Sequence, residues 1–192
     1  MRASGDRENG FSWTHKRLGI VTLGCSRNIV DSEKLLGEAQ AQGATICSVE
    51  NATTVLVNTC GFTEAAKRES LAAISELVDL KKKGRLCEII VHGCLSQRYG
   101  RELKKSYPDV DAFHGIAGFK NDLARRVCLT PPHSAYLKIA EGCANLCSYC
   151  AIPLIKGPLR SRDEDQILAE ACILQQAGVK ELNIVGQDIT LY

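Results

Sequence analysis

The chain has 192 residues, of which 45% are hydrophobic and 24% charged, and its formal net charge is +2 at pH 7. This composition is typical of a globular protein rather than a disordered one, and the length allows one or two domains. The net charge lacks the basic excess of most nucleic-acid-binding domains, so it neither requires nor excludes RNA as a partner.

The first 17 residues are polar and contain no apolar run, which predicts neither a secretory signal nor a membrane span. We therefore expect a cytoplasmic protein. Ten cysteines in a reducing compartment indicate metal binding or catalysis rather than a disulfide framework. Where these cysteines lie among the predicted strands and helices then indicates which of them have a function.

From residue 18 onward, short apolar runs alternate with helical patterns, which predicts parallel strands joined by crossover helices. The predicted strands are residues 18–23, 53–58, 88–91 and 110–115, and the predicted helices are residues 29–41, 63–82, 95–106 and 119–127. The expected fold class is therefore α/β, beginning with an open, parallel, doubly wound domain.

Adjacent prolines at positions 131 and 132 interrupt this pattern, because proline cannot continue a helix and lacks the N–H donor of a central strand. Beyond this point a strand, a helix and a second strand are predicted at 135–140, 164–177 and 181–185, which make one βαβ unit. The expected organisation is a polar tail over 1–17, a first domain over 18–128, a linker over 129–134, and the incomplete start of a second domain over 135–192.

The loop after the strand at 135–140 contains Cys143, Cys147 and Cys150 in the pattern Cys-x3-Cys-x2-Cys, and we call these three cysteines the loop triplet. A [4Fe-4S] cluster normally takes a cysteine on each iron, so three thiolates leave one iron open to a substrate or cofactor. The alternatives are a structural zinc knuckle or reduced core cysteines. We favour the cluster, because structural zinc takes four ligands, usually as two pairs, and no second pair follows.

Three more cysteines, Cys25, Cys60 and Cys94, each come directly after a predicted strand, and we call them the strand-end triplet. The carboxyl ends of neighbouring parallel strands meet at one edge of the sheet, where ligands bind. We therefore expect these thiols to converge on one site, although each can also be explained as a small buried hydrophobe. The other four cysteines are interpreted as core or incidental residues: Cys47, Cys87, Cys128 and Cys172.

The loop triplet, with Tyr149 before its last cysteine, resembles the signature of radical S-adenosylmethionine (SAM) enzymes. With the strand-end triplet added, residues 18–192 resemble the methylthiotransferases of that superfamily. The segments at residues 23–33, 57–62 and 135–143 resemble those of the RimO branch, whose members modify an aspartate β-carbon in small-subunit ribosomal protein twelve. The tRNA-modifying MiaB branch typically has glutamine after its first cysteine, where this chain has Ser26.

The resemblance implies that the loop triplet holds the radical SAM [4Fe-4S] cluster and that the strand-end triplet holds an auxiliary [4Fe-4S] cluster that carries or delivers sulfur. It also implies a set of SAM-binding residues, namely Tyr149 near the adenine, Arg162 near the carboxylate, and Gly186, Gln187 and Asp188 near the amino group. The partners implied are a small-subunit ribosomal protein as substrate and an electron donor such as flavodoxin or ferredoxin, with no membrane.

Members of this family carry a complete barrel-like domain and a further small β domain, whereas this sequence supplies only the first βαβ part of a radical SAM (β/α) partial barrel. The resemblance therefore implies the amino-terminal part of an enzyme, in which cluster binding survives better than catalysis. Two other hypotheses stay open, a tRNA methylthiotransferase of the MiaB type and an iron–sulfur binding module without catalytic activity.

Overall fold

The structure, a computed structural model, describes residues 13–116 and 126–192. Its first unit is built on a five-stranded sheet in the order β2-β1-β3-β4-β5, in which every neighbouring pair of strands is parallel. The strands are β1 (Arg17–Thr22), β2 (Thr45–Ile46), β3 (Thr54–Thr59), β4 (Glu88–Gly93) and β5 (Ala112–Phe113). This parallel sheet confirms the predicted α/β class.

Three long helices cover the two faces of this sheet: α1 (Ser26–Ala41), α2 (Glu64–Lys82) and α3 (Cys94–Ser106). Side chains alternate between the faces of a strand, and two separate apolar clusters follow from this alternation. Leu56 and Ile90 pack with Leu36 of α1 on one face, whereas Val57 and Ile89 pack with α2 and α3 on the other. The sheet is therefore doubly wound, as predicted.

The second unit contains β6 (Ser134–Lys138), β7 (Ala140–Glu141), α4 (Ile152–Lys156), β8 (Arg160–Ser161), α5 (Glu164–Gln176) and β9 (Glu181–Val185). Strands β6 and β9 are parallel, as expected of a βαβ unit. Strands β7 and β8 form an antiparallel pair. Because β7 precedes the loop triplet and β8 follows it, this pair closes the base of the cysteine loop.

Buried ion pairs join the two units where α1 packs against β6. Arg126 pairs with Glu33 of α1 and, at 2.7 Å, with Glu170 of α5. Lys138 of β6 pairs with Asp31 of α1. Breaking such a buried pair costs about 3–5 kcal/mol, so these contacts fix the position of one unit against the other.

The predicted elements differ from the observed ones mainly at their ends and in their shortest members. Helix α1 begins at Ser26 rather than at residue 29, and the strand predicted at 110–115 is only the edge strand Ala112–Phe113. Strands β2, β7 and β8 and helix α4 were not predicted, because two to five residues are too few to show a periodicity. The helix predicted at 119–127 falls almost entirely outside the described residues. Among the described residues no helix has both the length and the apolar character to cross a membrane.

Candidate functional site

All six cysteines of the two triplets line one cavity of about 350 Å³ between the two units. Its remaining walls come from Arg27 of α1, Phe62, the segment from Asn145 through α4, and the residues that follow β9. The complete lining is Cys25, Arg27, Cys60, Phe62, Cys94, Cys143, Asn145, Cys147, Cys150, Ile152, Lys156, Gln187 and Asp188. The structure thus brings together two groups of thiols that are separated by about 50 residues or more in the sequence.

The strand-end triplet is assembled by the register of the parallel sheet. Cys25 caps the start of α1, Cys60 directly follows β3, and Cys94 is the first residue of α3. The end of β1 aligns with β3, and β3 aligns with β4 through its last residue. The three turns therefore leave the sheet side by side, and their cysteines reach the same cavity.

Gly24 allows the first two turns of this triplet to approach each other. Its φ is +92°, and a Cβ atom at this position would lie 2.6 Å from Cβ and 3.0 Å from Sγ of Cys60. Residues other than glycine rarely adopt this backbone conformation, and Cys60 leaves no room for a Cβ atom here. A residue without a side chain is therefore required where Cys25 and Cys60 come together.

Asn28 ties the three turns of the strand-end triplet to one another. It is 1% exposed, and its Nδ2 donates to the carbonyl oxygens of Leu23 at 2.8 Å and Thr59 at 3.2 Å. Its Oδ1 lies 3.9 Å from the Sγ donor of Cys94. Asn28 was not predicted as a site residue, although a polar residue three positions after a strand-end cysteine is a signal for one.

The turn that carries Cys60 has two further supports. The Ser70 hydroxyl donates to the Cys60 carbonyl and accepts from the Cys60 N–H, each at 3.0 Å. Arg98 of α3 donates through Nη1 to the Gly61 carbonyl at 3.0 Å. Because the backbone of this turn is held on both sides of its cysteine, the Cys60 thiol has a fixed position at the cavity wall.

The loop triplet is held by contacts within the second unit. Gly142 has a φ of +76°, and a Cβ there would lie 2.1 Å from the Pro158 carbonyl oxygen. Within the loop, the Cys150 N–H donates to the Cys147 carbonyl at 3.0 Å, and Asn145 reaches out of it to donate to Asp188 Oδ2 at 2.8 Å. The loop is therefore anchored at its base and to the residues after β9.

Burial shifts the pKa of Cys94, a member of the strand-end triplet, and of His92, which lies two residues before it. It raises the pKa of the Cys94 thiol to about 11, so this sulfur becomes a thiolate at pH 7 only when a metal displaces its proton. It lowers the pKa of His92 to about 4. The imidazole is therefore neutral at pH 7 and adds no charge to this side of the cavity.

Lys156 brings a buried positive charge from α4 to the cavity wall. Its Nζ lies 3.1 Å from Glu141 Oε1 and 3.5 Å from Asp31 Oδ2. Burial alone would lower the pKa of Lys156, but these two carboxylates outweigh it and raise the pKa. Since Asp31 belongs to α1 and Glu141 to β7, this ammonium also links the two units at the edge of the site.

The residues predicted to bind SAM are found in three different settings. Gln187 and Asp188 line the cavity, and the carbonyl of Gly186 beside them accepts from Arg27 Nη1 at 2.9 Å. Tyr149 is 88% exposed and does not line the cavity. Arg162 is 3% exposed, and its Nη1 lies 2.5 Å from Glu170 Oε2. The structure thus brings the 186–188 segment to the cysteines and leaves the other two predicted residues outside the cavity.

The side chains present fit cubane clusters in their chemistry. All six cysteines are free thiols, and each triplet offers the soft donors that iron–sulfur clusters take. Within the described parts of the chain no three His, Cys, Asp or Glu side chains are placed to hold a single metal ion. A cubane places each cysteine on a different iron, so its ligands stand further apart than those of one ion.

Comparison with known proteins places the chain in a family. Residues 17–115, just over half of the chain, match the Uncharacterized protein family UPF0004. The chain belongs to this family. The matched region contains the whole strand-end triplet and the five-stranded sheet that assembles it.

Curated relatives extend the similarity over the second unit. The chain is 46% identical to the ribosomal protein uS12 methylthiotransferase RimO of Chlorobium luteolum over 186 residues, which cover 90% of this chain and 42% of the relative. It is 47% identical over 201 residues to RimO of Syntrophomonas wolfei subsp. wolfei, covering 91% of this chain and 46% of the relative. The resemblance to RimO-type methylthiotransferases is therefore confirmed. The chain spans about half the length of the curated relatives it matches.

Proposed function

We propose that this chain forms the cluster-bearing part of a radical SAM methylthiotransferase that adds a methylthio group to the β-carbon of an aspartate in ribosomal protein uS12. The observation that carries the proposal is the single cavity lined by both cysteine triplets. Relatives that are 45–47% identical to this chain are named as uS12 methylthiotransferases. A shared cavity suits a reaction in which sulfur from one site must meet carbon activated at the other.

In this proposal each triplet holds one [4Fe-4S] cluster. The loop triplet holds the radical SAM cluster, and the strand-end triplet holds the auxiliary cluster. When bound, the two clusters and SAM supply the radical and sulfur-transfer chemistry that side-chain acids and bases cannot. The protein supplies the thiolates and holds the segments that carry them, through the Asn28 contacts at one site and the Asn145 contact at the other.

SAM is proposed to bind on the side of the cavity formed by the residues after β9. Gly186, Gln187 and Asp188 would receive its amino-acid end, and Asp188 is already oriented by Asn145. Tyr149 would lie against the adenine. Arg162 also belongs to the proposed set, although its guanidinium pairs with Glu170, so that reaching a ligand requires this ion pair to open.

Each predicted segment of the chain has its own role in the proposal. Residues 18–128 would carry the auxiliary cluster, residues 129–134 would link the units, and residues 135–192 would begin the radical SAM core. A ribosomal protein substrate places the reaction in the cytoplasm. The electron needed by the loop-triplet site would come from a small redox protein such as flavodoxin or ferredoxin.

Anaerobic reconstitution with iron and sulfide tests the cluster assignment. Two cubanes correspond to about eight irons per chain, and addition of SAM with a reductant is expected to yield 5′-deoxyadenosine. About four irons would contradict one of the two sites. About eight irons without the nucleoside would support the alternative hypothesis of an iron–sulfur module without catalytic activity.

The substrate is tested separately with a complete enzyme that contains this chain, reconstituted and supplied with SAM, a reductant and a sulfide source. Mass spectrometry of uS12 is expected to show the added mass of one methylthio group on an aspartate. Transfer RNA incubated in parallel is expected to be unchanged. A methylthio group on tRNA and not on uS12 would instead identify the MiaB-type activity.

A further inference from the structure

Lys156 lies on the side of the cavity that holds the strand-end triplet. It is the last residue of α4, which packs against α3, and the first residue of α3 is Cys94. Burial raises the pKa of Cys94, and the positive charge of Lys156 is the strongest influence in the opposite direction. The thiolate of Cys94 in turn helps Asp31 and Glu141 to raise the pKa of Lys156. The two side chains are therefore close enough for the charge of one to act on the other.

Fixed contacts hold the ammonium of Lys156 in this place. Its side chain is 3% exposed, and its Nζ lies 3.1 Å from Glu141 Oε1 and 3.5 Å from Asp31 Oδ2. Lys138 of β6 pairs with the same two carboxylates and lies 2.6 Å from Glu141 Oε2. Because the side chain is held from two directions and is buried, its charge keeps a constant position and is little screened by water.

The four side chains of this network balance one another, since two are ammonium groups and two are carboxylates. Of these four, Lys156 is the one that lines the cavity with the cysteines. Replacing it by an uncharged residue would leave one net negative charge beside Cys94. The protein thus keeps this wall of the cavity free of net negative charge, although two buried carboxylates lie behind it.

We propose that Lys156 sets the reduction potential of the cluster held by the strand-end triplet. Reduction adds one electron, and hence one negative charge, to a cluster, and the potential depends on the charge around it. A fixed ammonium stabilises the reduced form and raises the potential. The inference rests on the proposed function, which places a [4Fe-4S] cluster at this triplet. Lys156 is in this sense a positioning residue, which acts through the cluster and touches no reacting atom.

A redox titration followed by electron paramagnetic resonance tests the role of Lys156. The reference is the reconstituted chain with Cys147→Ala, in which the loop triplet lacks one ligand and the strand-end cluster is observed by itself. Dithionite supplies the electron through mediators. Lys156→Met is expected to lower the equilibrium constant for reduction about tenfold, which is about 59 mV for one electron. Lys156→Arg keeps the charge and is expected to keep the potential of the reference.

Glu141→Gln is the variant with the opposite sign. It removes a negative charge from the same network and retains an oxygen that can accept from Lys156, so the potential is expected to rise. A disturbance of structure alone gives no reason for Lys156→Met and Glu141→Gln to move the potential in opposite directions. Lys34→Met is the control, because Lys34 pairs with Glu170 across the same contact between the units but lies outside the cavity. Its potential should equal that of the reference.

The proposal is overturned if Lys156→Met leaves the potential unchanged, if both variants shift it in the same direction, or if Lys34→Met shifts it as far. Should Lys156→Met lose its cluster, Glu141→Gln decides, and the absence of an upward shift refutes the role of Lys156. A reference chain that takes up no cluster at the strand-end triplet would contradict the proposed function, and this inference with it. A loaded reference whose variants all share one potential would contradict this inference alone.

Discussion

The two cysteine triplets reach the same cavity by opposite routes. The loop triplet lies within eight consecutive residues, and one of its members, Cys147, is exposed. The strand-end triplet comes from three turns spread over 70 residues, and Cys60 and Cys94 are 9% and 6% exposed. One site is thus specified by local sequence, while the other exists only after the sheet has formed.

The two sites are therefore sensitive to different substitutions. A change inside the loop is expected to affect the loop triplet alone, because the contacts that hold this loop lie within the second unit. The strand-end triplet depends on sheet register, on Asn28 and on the buried pairs that dock α1 against the second unit. Substitutions can therefore separate the two sites or disturb them together.

Removal of one ligand from each triplet is expected to have the largest effect. Cys147→Ala should reduce 5′-deoxyadenosine formation to background, because in the proposed function the loop triplet would hold the cluster that receives SAM. Cys60→Ala should leave SAM cleavage largely intact and stop methylthio transfer. Both products are measured by chromatography and mass spectrometry after anaerobic reconstitution, with transfer assayed in a complete enzyme that carries the same substitution.

The control for these variants is Cys172→Ala, since Cys172 is an exposed cysteine of α5 outside the cavity. Its iron content and nucleoside yield are expected to equal those of the unsubstituted chain. If Cys60→Ala changed neither the iron content nor the transferred product, the strand-end triplet would not be a cluster site.

Asp31→Asn is expected to disturb both sites together. Asp31 pairs with Lys138 of β6 and with Lys156 at the cavity wall. Loss of one partner from a buried ion pair typically costs about 3–5 kcal/mol of the free energy of unfolding. Urea unfolding at pH 7 measures this loss. Asp165→Asn, at an exposed position in α5, is the control and should change the stability by less than about 0.5 kcal/mol.

The same carboxylate predicts how stability depends on acid. Burial alone would raise the pKa of Asp31, but Lys138 and Lys156 outweigh it and bring the pKa from 3.8 to about 2. Between these values the unfolded chain binds a proton that the folded chain does not, so stability falls as the pH drops through this window. Above about pH 4 the contribution of Asp31 is constant. Asp31→Asn should flatten the curve of unfolding free energy against pH between about 4 and 2, and an unchanged slope would contradict the pairing.

The strand-end triplet could be predicted from the sequence because the prediction needs only local features, namely an apolar run followed by a cysteine. In a parallel sheet the carboxyl ends of neighbouring strands meet at one edge, which brings the three cysteines together. The loop triplet was equally accessible, since its spacing is visible in eight residues. The five-stranded sheet and its covering helices followed from the same alternation of apolar runs.

The contacts that hold the site together were not accessible in this way. Asn28 acts through partners 5, 31 and 66 residues away, and Asp31 acts through Lys138, 107 residues away. The helical pattern does not distinguish Asp31 from a residue on a solvated face, and for Asn28 the only local signal is its distance of three residues from Cys25. Arg162 is a further example: the family resemblance implies that it binds SAM, but the sequence gives no sign of its ion pair with Glu170 on the next helix.

A glycine precedes the first cysteine of each triplet, and substituting it is expected to empty that triplet alone. Gly24→Ala should lower the iron content by about four and leave the loop-triplet cluster in place, because its Cβ would collide with Cys60. Gly142→Ala should do the reverse, because its Cβ would collide with the Pro158 carbonyl. Iron analysis with electron paramagnetic resonance of the reduced protein distinguishes the two losses.

Gly84→Ala is the control for these two variants, because it strains the backbone without a steric collision. Gly84 has a φ of +71°, and nothing lies within 4 Å of the Cβ that would be added. This variant should lose about 1 kcal/mol of unfolding free energy from the left-handed backbone alone and keep all of its iron. Iron loss in Gly84→Ala similar to that in Gly24→Ala would show that reduced stability, rather than the geometry of the triplet, empties the site.

Asn28→Ala is expected to have the smallest effect on iron content among the substitutions at the two sites, and to act on one cluster only. It leaves the buried carbonyls of Leu23 and Thr59 without their donor, at a cost of about 1–3 kcal/mol. Since these carbonyls belong to the turns that carry Cys25 and Cys60, the strand-end triplet should bind its cluster more weakly while the loop triplet is unaffected. Asn51→Ala is the control, because that exposed amide reaches only the Ser48 hydroxyl. A chelator challenge that removes iron from both clusters of Asn28→Ala at the same rate would contradict the role of Asn28, since its hydrogen bonds all belong to one site.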